Sequence, residues 1–274
     1  MWLQRVLVAL ILMPIGLLAM FSGENYFAIM MAVFLMVGAY EFIGISRIGG
    51  YHPADFAVYG TVLLLPLGRT FWPQIDPLLT LVFFVLAAGI YHLVQYERGK
   101  DHTIADMAFT FTGMIYLGVL GSHFMAIRGL PGGEWWMLVT LTSVWSADTG
   151  AYAIGKWIGK TPLVPRLSPK KTLEGYIGGL VAAGVLAPLL LMFYHRMGWP
   201  VPPEITIPQT VIMGVVMGIF TVAGDLMISM MKRTYSLKDT GTILLGHGGV
   251  LDRIDSWLWA VSIGYYLITA IFLI

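Results

Sequence analysis

The stretch IMGVVMGIFTVAGDLMISMMKRTYSLKDTGTILLGHGGVLDRID, residues 212–255, decides how the whole chain is read. Its first part, 212–231, is apolar over the length needed to cross a hydrocarbon core, about 20 residues for about 30 Å. One acid, Asp225, interrupts that run, and an ionisable side chain at such depth is expensive unless it faces protein, water or an ion. The second part gathers Lys232, Arg233, Lys238, Asp239, His247, Asp252, Arg253 and Asp255 into a single polar segment. An apolar span that opens into a dense charged segment points to a membrane protein with a site at one membrane surface.

The rest of the chain repeats the first half of that pattern. Of 274 residues, 58% are hydrophobic and 11% charged, with mean hydropathy +0.79, against about 25% charged residues in ordinary soluble domains. No stretch is polar enough to build a soluble domain, so the expected fold class is all-α: one polytopic membrane domain over 1–274 with about nine transmembrane helices. They are expected near 3–21, 26–46, 54–72, 77–96, 104–127, 135–157, 173–195, 207–231 and 256–273. The first of these has a signal-peptide-like charge before it, but its apolar run is long enough to span. Residues 1–130 read as helices of the N-terminal half, and 131–274 as the helices and loops that carry chemistry. The absence of Cys excludes disulfides and thiolate metal sites, and the six His are scattered, so any metal is expected on oxygen.

An odd number of spans puts the N-terminus and the even-numbered loops on one face. That face collects Arg5, Arg47, Arg98, Lys100, Lys156, Lys160, Arg166, Lys170, Lys171, Lys232, Arg233, Lys238 and Arg253, and the other only Arg69, Arg128 and Arg196. By the positive-inside rule the basic face is cytoplasmic, where nucleotides and anionic headgroups are available. The first five helices offer little chemistry: Glu41, His92 and His123 read as structural polar groups more readily than as functional ones. Trp72, Trp135, Trp136 and Trp199, at expected helix ends, read as interfacial anchors.

Three stretches carry the chemistry. In the sixth span Asp148 is accompanied by Ser146, Thr149 and Tyr152, with Gly150, Gly155 and Gly159 allowing close helix approach. In RLSPKKTLEGYIGG, Pro165 and Pro169 disfavour a helix, so Ser168, Lys170, Lys171 and Thr172 present donors from a loop. Thr172 is placed to cap the helix that Glu174 begins, leaving its N–H groups toward an anion. The lysines alone also fit a plain positive flank on lipid phosphate. In the eighth span Asp225, Ser229 and Lys232 or Arg233 share one helical face, running from carboxylate through hydroxyl to cation toward the surface. Asp252, as N-cap, and Asp255 align at the start of the last helix. With Asp225 and Ser229 they form a hard oxygen set suited to Mg²⁺, which takes few protein ligands and completes its shell from water and phosphates. Between the acids, the turn His247-Gly248-Gly249 lets backbone N–H groups approach a ligand. Mixed carboxylates and cations at a membrane surface suit phosphoryl or nucleotidyl transfer.

The motifs S-x-x-K-R-x-x-x-x-K-D-x-G and H-G-G-x-x-D-R-x-D, from Ser229 to Asp255, resemble the signature of the phosphatidate cytidylyltransferases (CDP-diacylglycerol synthases). D-T-G-A-Y-x-x-G-x-x-x-G-K at Asp148 to Lys160 and S-P-K-K-T-x-E-G at Ser168 to Gly175 are similar to that family's other shared segments. The resemblance covers most of the chain from about residue 140; one departure is Leu245, where members commonly carry Pro or a small residue. The resemblance implies Mg²⁺-dependent condensation of CTP with phosphatidic acid in the inner membrane, with Asp225, Ser229, Asp252 and Asp255 on the metal. It implies Lys232, Arg233, Lys238 and Arg253 on the phosphates, with help from Lys170, Lys171 and Thr172. Asp148 is left to a second cation or to orienting the lysines. The expected partners are CTP, phosphatidic acid and the bilayer, with a homodimer allowed and no nucleic acid. Two rival classes remain at this point: an ion-coupled transporter using Asp148 and Asp225, and an intramembrane aspartyl protease using the same pair. Against the first, the charges concentrate at the cytoplasmic face and no halves repeat; the second leaves the basic residues and the acids Asp252 and Asp255 unexplained.

Overall fold

A chain this apolar has to satisfy its backbone polar groups internally, and helices do so within each segment. The structure, a computed structural model, describes residues 13–243 and 248–273. It is built from helices α1 (Met13–Ser22), α2 (Glu24–Ile48), α3 (Asp55–Phe71), α4 (Pro77–Glu97), α5 (Thr103–Gly113), α6 (Leu120–Arg128), α7 (Gly133–Ile158), α8 (Leu173–Arg196), α9 (Ile207–Thr234) and α10 (Leu251–Leu267). A π-helical turn, Met114–Val119, joins α5 to α6, and a second one, Ile268–Phe272, extends α10. Among the described residues, six segments are long and apolar enough to cross a membrane: Glu24–Ile48, Pro77–Glu97, Thr103–Arg128, Leu173–Arg196, Ile207–Thr234 and Leu251–Phe272. The chain is thus a helical membrane protein. Of the other expected runs, 54–72 folds as α3, which is 17 residues long, and 135–157 as the more polar α7. The expected run 3–21 lies largely outside the described residues.

The expected all-α character holds, and the loop expected around Pro165 and Pro169 contains one small exception: Pro162–Val164 (β1) and Ser168–Thr172 (β2) pair antiparallel, Pro162 opposite Thr172 and Val164 opposite Ser168. The prolines do exclude a helix, as expected, but the segment closes as a hairpin.

The chain divides into two compact units, Met1–Gly129 with Met231–Ile254, and Leu130–Met230 with Asp255–Ile274. In the first, α2 buries Phe27, Ala28, Met31, Leu35, Ala39, Phe42 and Ile43, a stripe at three- and four-residue spacing. The π turn seats Gly118 against α3, where an added Cβ would come within 2.6 Å of Thr61 Cγ2. Polar side chains in this unit fix loops. Asp106 accepts from the His52 N–H at 2.7 Å, and Thr110 Oγ1 accepts from the Ala54 N–H and lies 2.8 Å from His92 Nε2. His92 is therefore a hydrogen-bonded structural group, as expected.

In the second unit α7 and α8 pack along a seam of small residues. A Cβ on Gly179 would stand 2.6 Å from the Ala147 carbonyl oxygen, and one on Gly175 2.8 Å from that of Ala151, so the backbones themselves are in contact. At the far end of α7, Trp135 and Trp136 are only 4% and 1% exposed. Trp136 stacks on Phe272, and Trp135 joins Tyr194 and Trp199 in an aromatic cluster. These two indoles are core residues, a correction to their reading as interfacial anchors. Sequence position marks a helix end but not the packing of that end against a neighbouring helix.

Candidate active site

The second unit contains an open cavity of about 390 Å³ between α7, the hairpin and α8, with Asp148, Tyr152, Lys156, Lys170, Lys171 and Thr172 among its lining. The hairpin register delivers the two lysines: Ser168 pairs with Val164 and Thr172 with Pro162, so Lys170 and Lys171 fall on the intervening strand. Thr172 ends the strand and caps α8, its Oγ1 accepting from the Gly175 N–H at 3.1 Å, as its position before Leu173 predicts. Lys171 Nζ reaches α9 and pairs with Asp225 Oδ2, both side chains about one third exposed (32% and 35%). One turn on, the Ser229 hydroxyl is 3.5 Å from Asp225 Oδ1. Asp148 lies within electrostatic reach of both Lys171 and Asp225. Lys156 lies over the Tyr152 ring at 5.7 Å. Gly224, next to Asp225, has the Asp255 backbone against it, and the Asp255 side chain is buried.

Glu174 has a different placement from the lysines. Its carboxylate accepts from the N–H groups of Lys160 and Thr161 and from the Thr161 hydroxyl. It ties the end of α7 to the start of α8 and so holds the hairpin at its base.

In the first unit a second lysine–aspartate pair forms at the start of α10. Lys232 Nζ is 2.5 Å from Asp252 Oδ1, with side chains only 10% and 7% exposed. Asp252 Oδ2 accepts from the Thr240 N–H at 2.8 Å and the Gly249 N–H at 3.1 Å, and lies 3.0 Å from the Thr240 hydroxyl oxygen. Asp252 lies inside the first turn of α10, which begins at Leu251, so it is not the N-cap expected from sequence. The carboxylate that receives the first N–H groups of this helix belongs to Glu41, 209 and 210 positions upstream of Val250 and Leu251. Of the His-Gly-Gly turn, His247 lies outside the described residues. Gly248 adopts φ +80°, a left-handed conformation that favours glycine, and the Gly249 N–H points at Asp252. Arg233 donates to the Leu237 carbonyl, and Arg233, Lys238 and Arg253 are exposed.

Among the described residues, no three His, Cys, Asp or Glu side chains converge into a ready metal cage. Asp225 and Asp252 are instead each matched with a lysine. Sequence reading marked all four partners but missed these pairings. It also missed the cavity role of Tyr152 and Lys156 and the part played by Glu41, whose only signal was an acid inside an apolar helix.

Comparison with known proteins bears on this arrangement. A phosphatidate cytidylyltransferase of Synechocystis sp. is 32% identical over 97% of this chain and 96% of its own length. One from Bacillus subtilis is 38% identical over 61% of this chain and 60% of its own length. A third, from Staphylococcus haemolyticus, is 30% identical over 94% and 96%. The sequence model of the cytidylyltransferase family matches residues 3–271, taking in both units and both lysine–aspartate pairs, and the chain belongs to that family.

Proposed function

We propose that this chain condenses CTP with phosphatidic acid, giving CDP-diacylglycerol and pyrophosphate, at the cytoplasmic face of the inner membrane. One observation carries the reading: relatives named phosphatidate cytidylyltransferase align over nearly the full length of the chain. The residues are chemically suited to it. A phosphatidate oxygen attacks the α-phosphorus of CTP; the new O–P bond forms as the bond to the β-phosphate oxygen breaks, and pyrophosphate leaves. No protein nucleophile is needed, and a phosphate monoester is already largely ionised near neutral pH.

The work left to the protein is to hold and neutralise phosphate oxygens. Lys171 and Lys170 border the cavity, and Lys232 stands at the start of α10. Lys171 and Lys232 are each neutralised by a carboxylate, and phosphate oxygens offer them an alternative partner of the same sign. Arg233, Lys238 and Arg253 are exposed and able to meet a soluble triphosphate. Asp225 with Ser229, Asp252 and Asp255 are the oxygen donors proposed for Mg²⁺. Their chemistry fits a hard cation that takes few protein ligands, and when bound it supplies neutralisation of the phosphate charge. Asp148 either takes a second cation or orients Lys171. About nine spans are taken from the count of apolar runs, and the basic loops are oriented to the cytoplasm by the distribution of Lys and Arg.

The test is a reconstitution with labelled CTP, phosphatidic acid and Mg²⁺. Release of pyrophosphate and formation of a CDP-lipid are expected. Folded protein that turns over no nucleotide with any divalent ion refutes the proposal. Asp225→Asn, Asp252→Asn and Asp255→Asn are each expected to abolish turnover while the protein still folds.

A further inference from the structure

Glu41 lies on the buried apolar face of α2, toward the C-terminal end of the helix, and is 3% exposed. A buried carboxylate is costly unless hydrogen bonds replace its water, and here three donors do so. Val250 N–H donates to Oε1 at 3.0 Å, Leu251 N–H to Oε2 at 2.9 Å, and the Thr240 hydroxyl lies 2.9 Å from Oε2. The first two are orphan N–H groups at the start of α10, where negative charge is favoured by the exposed N–H dipoles. The third belongs to the residue whose own N–H and hydroxyl contact Asp252. One threonine thus stands between two carboxylates, one on α2 and one on α10.

The surrounding glycines are shaped to this group. A Cβ on Gly241 would come 2.8 Å from Glu41 Cδ, and one on Gly249 would overlap both Thr240 Oγ1 and Glu41 Oε2 and stand 2.7 Å from Gly241 N. Two glycines of the charged segment are therefore required by a glutamate from another helix, and the segment closes tightly around it.

We propose that Glu41 is a positioning residue. By holding the first N–H groups of α10 and the Thr240 hydroxyl, it fixes the carboxylate of Asp252 and its partner Lys232 in the orientation that transfer requires. The proposal rests on the function proposed above for its catalytic consequence, but not for its physical one. Groups that orient a reacting or ligating residue change turnover by about 10- to 100-fold when removed.

Glu41→Gln keeps the side-chain volume and one acceptor oxygen, but turns an amide NH₂ toward an N–H donor. Thr240→Val removes the link to Asp252 and leaves the hold on Val250 and Leu251; Thr240→Ser restores the hydroxyl. The experiment measures CTP turnover and amide hydrogen exchange on the full chain in detergent for these variants and for Glu41→Gln/Thr240→Val. The proposal expects kcat to fall by about 10- to 100-fold in Glu41→Gln and Thr240→Val with KM for CTP within about twofold, and recovery in Thr240→Ser. It expects the double variant to be no worse than the poorer single, because coupled residues are non-additive. Exchange should accelerate in the peptide containing Val250 and Leu251 in Glu41→Gln and not across α2 to α6.

Wild-type kcat with unchanged exchange in Glu41→Gln overturns the proposal. So does exchange that rises uniformly through the first unit, which marks a core residue and nothing more. Multiplicative losses in the double variant overturn the link through Thr240. If the wild-type chain lacks CTP turnover, the functional reading fails, and the exchange pattern still decides whether Glu41 holds the start of α10.

Discussion

Replacing Lys171 with Met separates the roles of an ion pair in folding and in catalysis. Lys171 and Asp225 are each about one third exposed, and pairs this accessible to solvent contribute about 0–1 kcal/mol to stability. Met retains most of the aliphatic stem, so packing along the cavity wall is largely kept. The midpoint of thermal unfolding in detergent should therefore move by only a few degrees. Turnover is expected to respond far more. A hydrogen bond to a charged group contributes about 1.5–3 kcal/mol, and about 1.4 kcal/mol is tenfold in rate. If Lys171 donates to a phosphate in the transition state, kcat/KM falls by roughly 10- to 150-fold. The assay is incorporation of labelled cytidylate into lipid over a range of CTP concentrations, run beside a melting curve on the same preparation. Wild-type kcat/KM in Lys171→Met refutes the phosphate role. A collapse of the melting midpoint in parallel with activity refutes the claim that the pair is energetically minor for the fold.

Three further outcomes are expected. Thr172→Ala removes the cap of α8 and should cost about 1 kcal/mol, read as a lower melting midpoint with Thr172→Ser near wild type. Gly179→Val forces a branched side chain onto the Ala147 carbonyl at the α7–α8 seam and should destabilise by about 1–3 kcal/mol; an unchanged midpoint would show that the seam can open. Chelation with EDTA should abolish turnover, and added Mg²⁺ restore it, with unfolding shifted little because the aspartates already have lysine or hydrogen-bond partners; full activity in chelator would remove the metal from the reading.

Helix positions were legible because hydrocarbon leaves the backbone few choices. The runs at 77–96, 173–195 and 207–231 each became a helix within a few residues of the expected ends, and 104–127 became α5 and α6 joined by the π turn. Local chemistry was legible too: Thr172 stands one residue before α8 and caps it. What sequence could not carry was pairing over distance. Nothing near Val250 indicates that its N–H is received by a carboxylate more than two hundred residues away, and nothing near Asp225 names Lys171 as its partner. The hairpin was missed for a related reason, since two prolines declare what a segment avoids but not which strand it meets. Trp135 and Trp136 show the same limit, because residue type suggests a membrane interface and only packing shows a core.

The wall of the cavity has a consequence for how this pocket can change over time. Gly155, Gly175, Gly179 and Gly218 line it together with Ala147 and Ala151, so at these positions the wall has little or no side chain. A pocket lined by long side chains can be enlarged or reshaped one substitution at a time. At these glycines every substitution adds atoms, and several would strike the opposing helix first. Variation at these glycines can only narrow the chamber, and enlargement has to come from the longer side chains that share the lining, such as Tyr152, Leu163 and Tyr176.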